Sequence, residues 1–257
     1  MSEFTASAHE ALLEEGVAKQ KTAEKKPMSH QIFSFFLTCL GWSPLVLSLA
    51  VKNPRAMLTG AAGAALTSFC LSGIFYKIGG TKVWPKIMDI SFLSTFGILT
   101  ILAWTLPVDS VGNILLFLDV FIFGGFALTI GAAWACFKLR FMDQMMLDYV
   151  SDEELSHPSI QHLIVKNTQM FLVGFTLMAV IAAVNGTLSV TGNNTNTLRI
   201  VLIVVEYSIL GTMLTIANWL YPEYIASEKG MKMIGDKYPD ECDAWNAANP
   251  DHEWAKE

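Results

Sequence analysis

Histidine is missing from every long apolar stretch of this sequence: His9, His30, His157, His162 and His252 all lie outside them. Paired haem ligation inside a membrane is thereby excluded. There is no G-x-x-x-x-G-K-[ST], no H-E-x-x-H and no G-x-S-x-G, so a nucleotide P-loop, a zincin and a nucleophile elbow are excluded too. Cysteine is scarce, with four residues and no C-x-x-C; Cys39, Cys70, Cys136 and Cys242 read as small apolar fillers. Charge is also thin, at 16% of residues. What fills the space is apolar: 53% of residues are hydrophobic and the mean hydropathy is +0.43. Such a chain is too apolar for an ordinary soluble domain, and lipid is the solvent it fits.

A spanning helix needs about 20 predominantly apolar residues. Six stretches qualify, at about 32–51, 57–76, 87–106, 113–137, 170–188 and 198–221. The expectation is therefore an all-α polytopic integral membrane protein. A polar N-terminal tail (1–29) precedes a six-helix transmembrane domain (30–222), and an acidic C-terminal tail (223–257) follows. Fourteen of the seventeen Lys and Arg fall on the side of the N-terminus, and only Lys52, Arg55 and Arg199 on the other. By the positive-inside bias both termini are expected in the cytoplasm, with plasma membrane and endomembrane not distinguished. Two Asn-x-Thr sequons, at Asn185 and Asn193, fall in the loop assigned to the outside.

The third and fourth runs echo one another. Asp89 precedes Trp104 by fifteen residues, Asp119 precedes Trp134 by fifteen, and Phe96 and Phe126 keep the same thirty-residue offset. Fifteen helical residues rise about 22 Å, so each run carries a carboxylate near one end and an indole towards the other. Elsewhere, Ser7 and Glu10 have capping-box spacing and suggest a short N-terminal helix. Pro44 kinks the first run. Residues 59–65, built from Gly, Ala and Thr, let another helix approach closely. Between the fourth and fifth runs Phe141, Met145 and Tyr149 recur every four residues, which predicts an amphipathic helix over 140–150 lying in the membrane interface. Ser151 and Glu154 form a second capping box, and Pro158 suits the first turn of a helix leading into the fifth run.

Two strings resemble a family of small bacterial polytopic membrane proteins. Phe141, Gln144, Val150, Asp152, Glu153 and Pro158 are similar to a loop of pattern P-F-T-L-Q-Y-A-R-E, V-P-E-E, Pro. Trp84-Pro85-Lys86-Ile87-Met88-Asp89-Ile90, followed by Phe96-Gly97, is similar to a helix start W-P-K-V-L-D-I. The chain departs from the pattern at Arg140, Leu147 and Asp148. The resemblance covers about a third of the chain and implies a helical membrane fold and no particular activity.

An ionisable group inside lipid is costly and marks a candidate functional position. Glu206 is the deepest, Asp119 lies six residues into the fourth run, and Asp89 stands at the mouth of the third. None has a Lys or Arg partner in the bilayer, so each must be neutralised, meet water or accept hydrogen bonds from groups such as Asn218, Thr129 or Ser208. Glu206, Asp119, Asp89, Asn218 and Pro44 are the candidates for a solute or proton path. The competing structural roles are a helix-start residue for Asp89 and an interhelical partner for Asp119. Lys82, Lys86, Asp89 and His157 make only a weak case for a lipid-modifying enzyme. The expectation is a non-enzymatic channel or secondary transporter for a small uncharged or weakly acidic solute, forming a homo-oligomer in the lipid bilayer. It requires no cofactor, metal or nucleic acid. The alternative is a non-catalytic subunit or assembly factor of a larger membrane complex, contacting its partner through the 140–166 loop or the C-terminal tail.

Overall fold

The computed structural model describes residues 53–78, 82–147 and 150–252. The expected N-terminal helix, the first run at 32–51 and Pro44 lie outside them. The described residues are helical and contain no strand. Among the described residues, five helices are long and apolar enough to cross a membrane.

Helix α1 (Pro54–Lys77) starts where Asn53 accepts hydrogen bonds from the Arg55 and Ala56 amides, with Pro54 in the first turn where its missing N–H costs nothing. Helix α2 (Ile87–Thr105) returns beside it. Three bonds fix this hairpin: Ser72 Oγ donates to Asp89 Oδ2 (3.0 Å), Thr100 to the Leu58 carbonyl (2.9 Å), and Trp104 Nε1 to Thr59 Oγ1 (3.0 Å). At the Trp104 end, Arg55 places Nε on the Ala103 carbonyl and Nη2 on the Leu106 carbonyl, both at 2.8 Å. It thereby satisfies acceptors that the end of α2 leaves free.

The fourth run, expected as one helix over 113–137, is divided. A short α3 (Val108–Leu115) precedes α4 (Leu118–Phe137), and between them the Leu116 and Phe117 amides bond three residues back. Hydropathy gives no sign of this break because both sides are apolar. Its counterpart is in the helix opposite, where a β-carbon at Gly186 would stand 2.9 Å from the Leu116 carbonyl and 2.7 Å from the Phe117 ring.

The helix expected over 140–150 is shorter, α5 (Phe141–Met146), and α6 (Asp152–Ser156) follows with both bonds of the Ser151–Glu154 capping box in place. Helix α7 (Pro158–Val190) is a single rod of 33 residues that includes the expected fifth span, and α8 (Asn196–Thr215) covers most of the run expected over 198–221. At 216–220 α8 widens into a π turn just before Pro222. Proline has no N–H and its ring crowds the carbonyl four residues back, which this wider turn accommodates. The segment 223–257 was expected to be an acidic tail. Its described part folds as α9 (Tyr221–Ala226), α10 (Glu228–Lys237) and α11 (Pro239–Ala248).

The long helices pack in chain order, α1 on α2, α2 on α4, α4 on α7 and α7 on α8. Glycines set the close approaches. Gly125 faces the Thr95 hydroxyl, Gly124 faces Ala179, Gly131 faces Leu172 and Gly174 faces Met213. These registers run antiparallel, so the starts of α2, α7 and α9 share one end of the bundle, here the lower end. The core is a continuous set of apolar side chains with Phe96, Phe123 and Phe126 among the most completely buried.

Candidate functional site

Helix α8 is the least enclosed of the long helices, and its buried residues are Glu206 and Met213. Its one acid is therefore among the few residues it turns fully inward. Glu206 has no accessible surface, and among the described residues neither carboxylate oxygen has a hydrogen-bond partner. Asp119, in the first turn of α4 rather than deep within a longer span, lies within electrostatic range of Glu206. The Phe123 ring meets the Tyr207 ring edge-on with centroids 6.4 Å apart. These residues form an acidic pair beside two aromatic rings, towards the upper end of α4.

Asp89 stands apart from this pair. It occupies the first turn of α2, where the free amides of a helix start favour a carboxylate, and accepts the Ser72 hydroxyl bond. The helix registers put it level with about residue 131 of α4, hence about 18 Å along the axis from Asp119 at 1.5 Å per residue. The hydrogen-bond donors proposed for the acids turn away from them. Asn218 is exposed and bonds the Leu214 carbonyl, Thr129 the Gly125 carbonyl, and Ser208 the Val204 carbonyl. In an apolar helix a polar side chain finds its nearest acceptor one turn back on its own backbone. Pro44 lies outside the described residues. Among the described residues, then, the structure brings together Glu206 and Asp119, with Tyr207 added.

The lower end holds contacts between residues far apart in the chain. Gln144 of α5, 8% exposed, accepts the Ile87 amide at 2.7 Å and so caps α2. Lys82 reaches Asp152 (2.8 Å) and the Val150 carbonyl (3.5 Å). The two strings that carry the family resemblance are thus packed on one another. Trp84 donates its indole N–H to the Phe69 carbonyl (3.2 Å) and covers Gly73.

Helices α10 and α11 close over the start of α7. Trp245 donates to the Glu153 carbonyl (3.2 Å) and Ser156 Oγ (3.0 Å), and its ring lies between His157 (4.5 Å) and His252 (5.0 Å). His157 Nδ1 accepts the Ser159 amide, capping α7. Burial, with His252 beside it, holds the His157 pKa below the ordinary imidazole value, and burial pushes the Cys242 thiol up. A cavity of about 290 Å³ lies here, lined by Gln161, His162, Tyr238 and Glu241 among others, with His162 Nδ1 and the Tyr238 hydroxyl 3.1 Å apart.

Comparison with protein-family models, with curated proteins and with solved structures found no match to this chain. The five long apolar helices are compatible with a membrane protein, and the function has to be argued from the residues themselves.

Proposed function

We propose that this protein is a non-enzymatic membrane channel or secondary transporter for a small uncharged or weakly acidic solute, with Glu206 and Asp119 as its proton-accepting or solute-orienting groups. The observation that carries this reading is the isolation of Glu206. A buried charge whose oxygens accept no hydrogen bond among the described residues is unfavourable by several kcal/mol, which suits a group that takes up a proton or a cation. A second carboxylate within electrostatic range sharpens that demand, because two acids in a low-dielectric setting compete for one counter-charge. Asp89, by contrast, accepts a hydrogen bond from the Ser72 hydroxyl.

In this reading Asp89 and the Asp119–Glu206 pair are two stations on opposite halves of the antiparallel bundle. In this reading α5 and α6 lie at the cytoplasmic interface and both termini are cytoplasmic. The alternative, a non-catalytic subunit of a larger complex, is supported by less. In the tail, Trp245 is engaged within the chain, with Glu153 and Ser156.

The test is flux into proteoliposomes containing the purified full-length chain, with acetate as the weakly acidic probe and glycerol as the uncharged one. Transport above protein-free vesicles, lost in Glu206→Gln, supports the reading. Absence of flux for both probes and for protons removes it.

A further inference from the structure

The two acidic positions are joined by a run of ring contacts. Asp89 lies one turn before Phe92 on α2, and Asp119 one turn before Phe123 on α4. Phe92 meets Phe126 edge-on with centroids 4.8 Å apart, and Phe126 stacks on Phe175 of α7 at 5.1 Å. Phe175 stacks on Phe123 at 6.2 Å, and Phe123 reaches Tyr207, the neighbour of Glu206. All four phenylalanines are at most 5% exposed. They come from three helices and belong to the buried core between the level of Asp89 and the level of Glu206 among the described residues. The backbone around them is tight, because a β-carbon at Gly125 would collide with the Thr95 hydroxyl.

We propose that this layer of Phe92, Phe126, Phe175 and Phe123 is the closed gate of the path, separating an Asp89 compartment from an Asp119–Glu206 compartment. The proposal rests on the transport reading above. Water and ions cross a protein only where polar groups or continuous water replace their hydration, and a dry constriction of phenyl rings offers neither. Phe126 is the central member, since it alone of the four contacts both Phe92 and Phe175, so opening the layer requires its ring to leave the axis. Gly124 and Gly125 immediately before it carry no side chain that must follow.

A layer that served only as core would lose stability on truncation without changing what crosses the bilayer. The full-length chain is therefore reconstituted in phosphatidylcholine–phosphatidylglycerol vesicles enclosing a pH-sensitive dye, and proton leak is followed after an imposed pH step alongside acetate flux. Phe126→Ala is expected to raise the leak about tenfold over the unsubstituted protein. Leu128→Ala, at a position 76% exposed on the outer face of α4, leaves it unchanged. Phe126→Leu keeps most of the buried volume; it serves where the alanine variant fails to give a monodisperse protein, and its leak rises by a smaller factor. If the unsubstituted protein transports acetate while both Phe126 variants leak no more than it does, the gate is overturned and the transport reading stands. If the unsubstituted protein moves neither protons nor solute, the transport reading fails and takes the gate with it.

Discussion

Gly230 and Ile225 are in backbone contact: a β-carbon at Gly230 would lie 2.7 Å from the α-carbon of Ile225. No side-chain rotation relieves a clash with backbone, so α10 can sit on α9 only with glycine at this position. Ser227 Oγ, which caps α10 by accepting the Gly230 amide, fixes the same geometry. Gly230→Ala is expected to cost about 1–3 kcal/mol, the usual range for overpacking, and to free the end of the chain. Limited proteolysis should cut 221–252 faster than in the unsubstituted protein while the long helices stay protected; an unchanged cleavage pattern would show that the contact yields.

Gln144 lets the loop after α4 cap α2, by accepting the Ile87 amide in a buried setting. Gln144→Leu preserves bulk but orphans that amide, at an expected cost of about 1–3 kcal/mol. The midpoint of thermal unfolding in detergent should fall. Gln144→Glu, which retains the acceptor, should lose less, and equal losses for the two substitutions would contradict a capping role.

His157 gives the C-terminal cap a pH dependence whose sign follows from its surroundings. Its pKa in the folded protein lies below the ordinary 6.5 because burial, and then His252, disfavour the charged ring. The unfolded chain therefore binds more protons than the folded one as pH drops below the unfolded value. Stability is level above that value, falls as the pH passes down through it, and stops falling once the folded imidazole is protonated too. Protonation at Nδ1 also removes the acceptor for the Ser159 amide. His157→Gln keeps an acceptor without a titration, so thermal midpoints between about pH 7 and about pH 5 should flatten relative to the unsubstituted protein. Parallel pH profiles would assign the dependence to another group.

Features that depend on neighbouring residues were legible in the sequence. The Ser151–Glu154 capping box, Pro158 at the start of α7 and Asp89 at the start of α2 stand where the residue types put them. Each of these is decided within one turn of chain. The division of the fourth run was not legible, because it coincides with the close approach of Gly186, seventy residues away. Nor was the folding of the tail, whose composition suits a solvated end and a docking segment equally and does not show that Trp245 meets the Glu153 carbonyl and the His157 ring. Of the acidic candidates, depth in the sequence singled out Glu206. Its nearness to Asp119 depends on the order in which helices pack, and Tyr207 had no signal beyond adjacency.

The ties of the α1–α2 hairpin have a consequence for how the chain is made. Ser72 to Asp89, Thr59 to Trp104, Thr100 to Leu58, and Arg55 to Ala103 and Leu106 all close between residues 55 and 106. Each partner is already present when residue 106 leaves the ribosome. The pair can therefore close as a finished unit before the later helices exist, and α4 then packs on its α2 face.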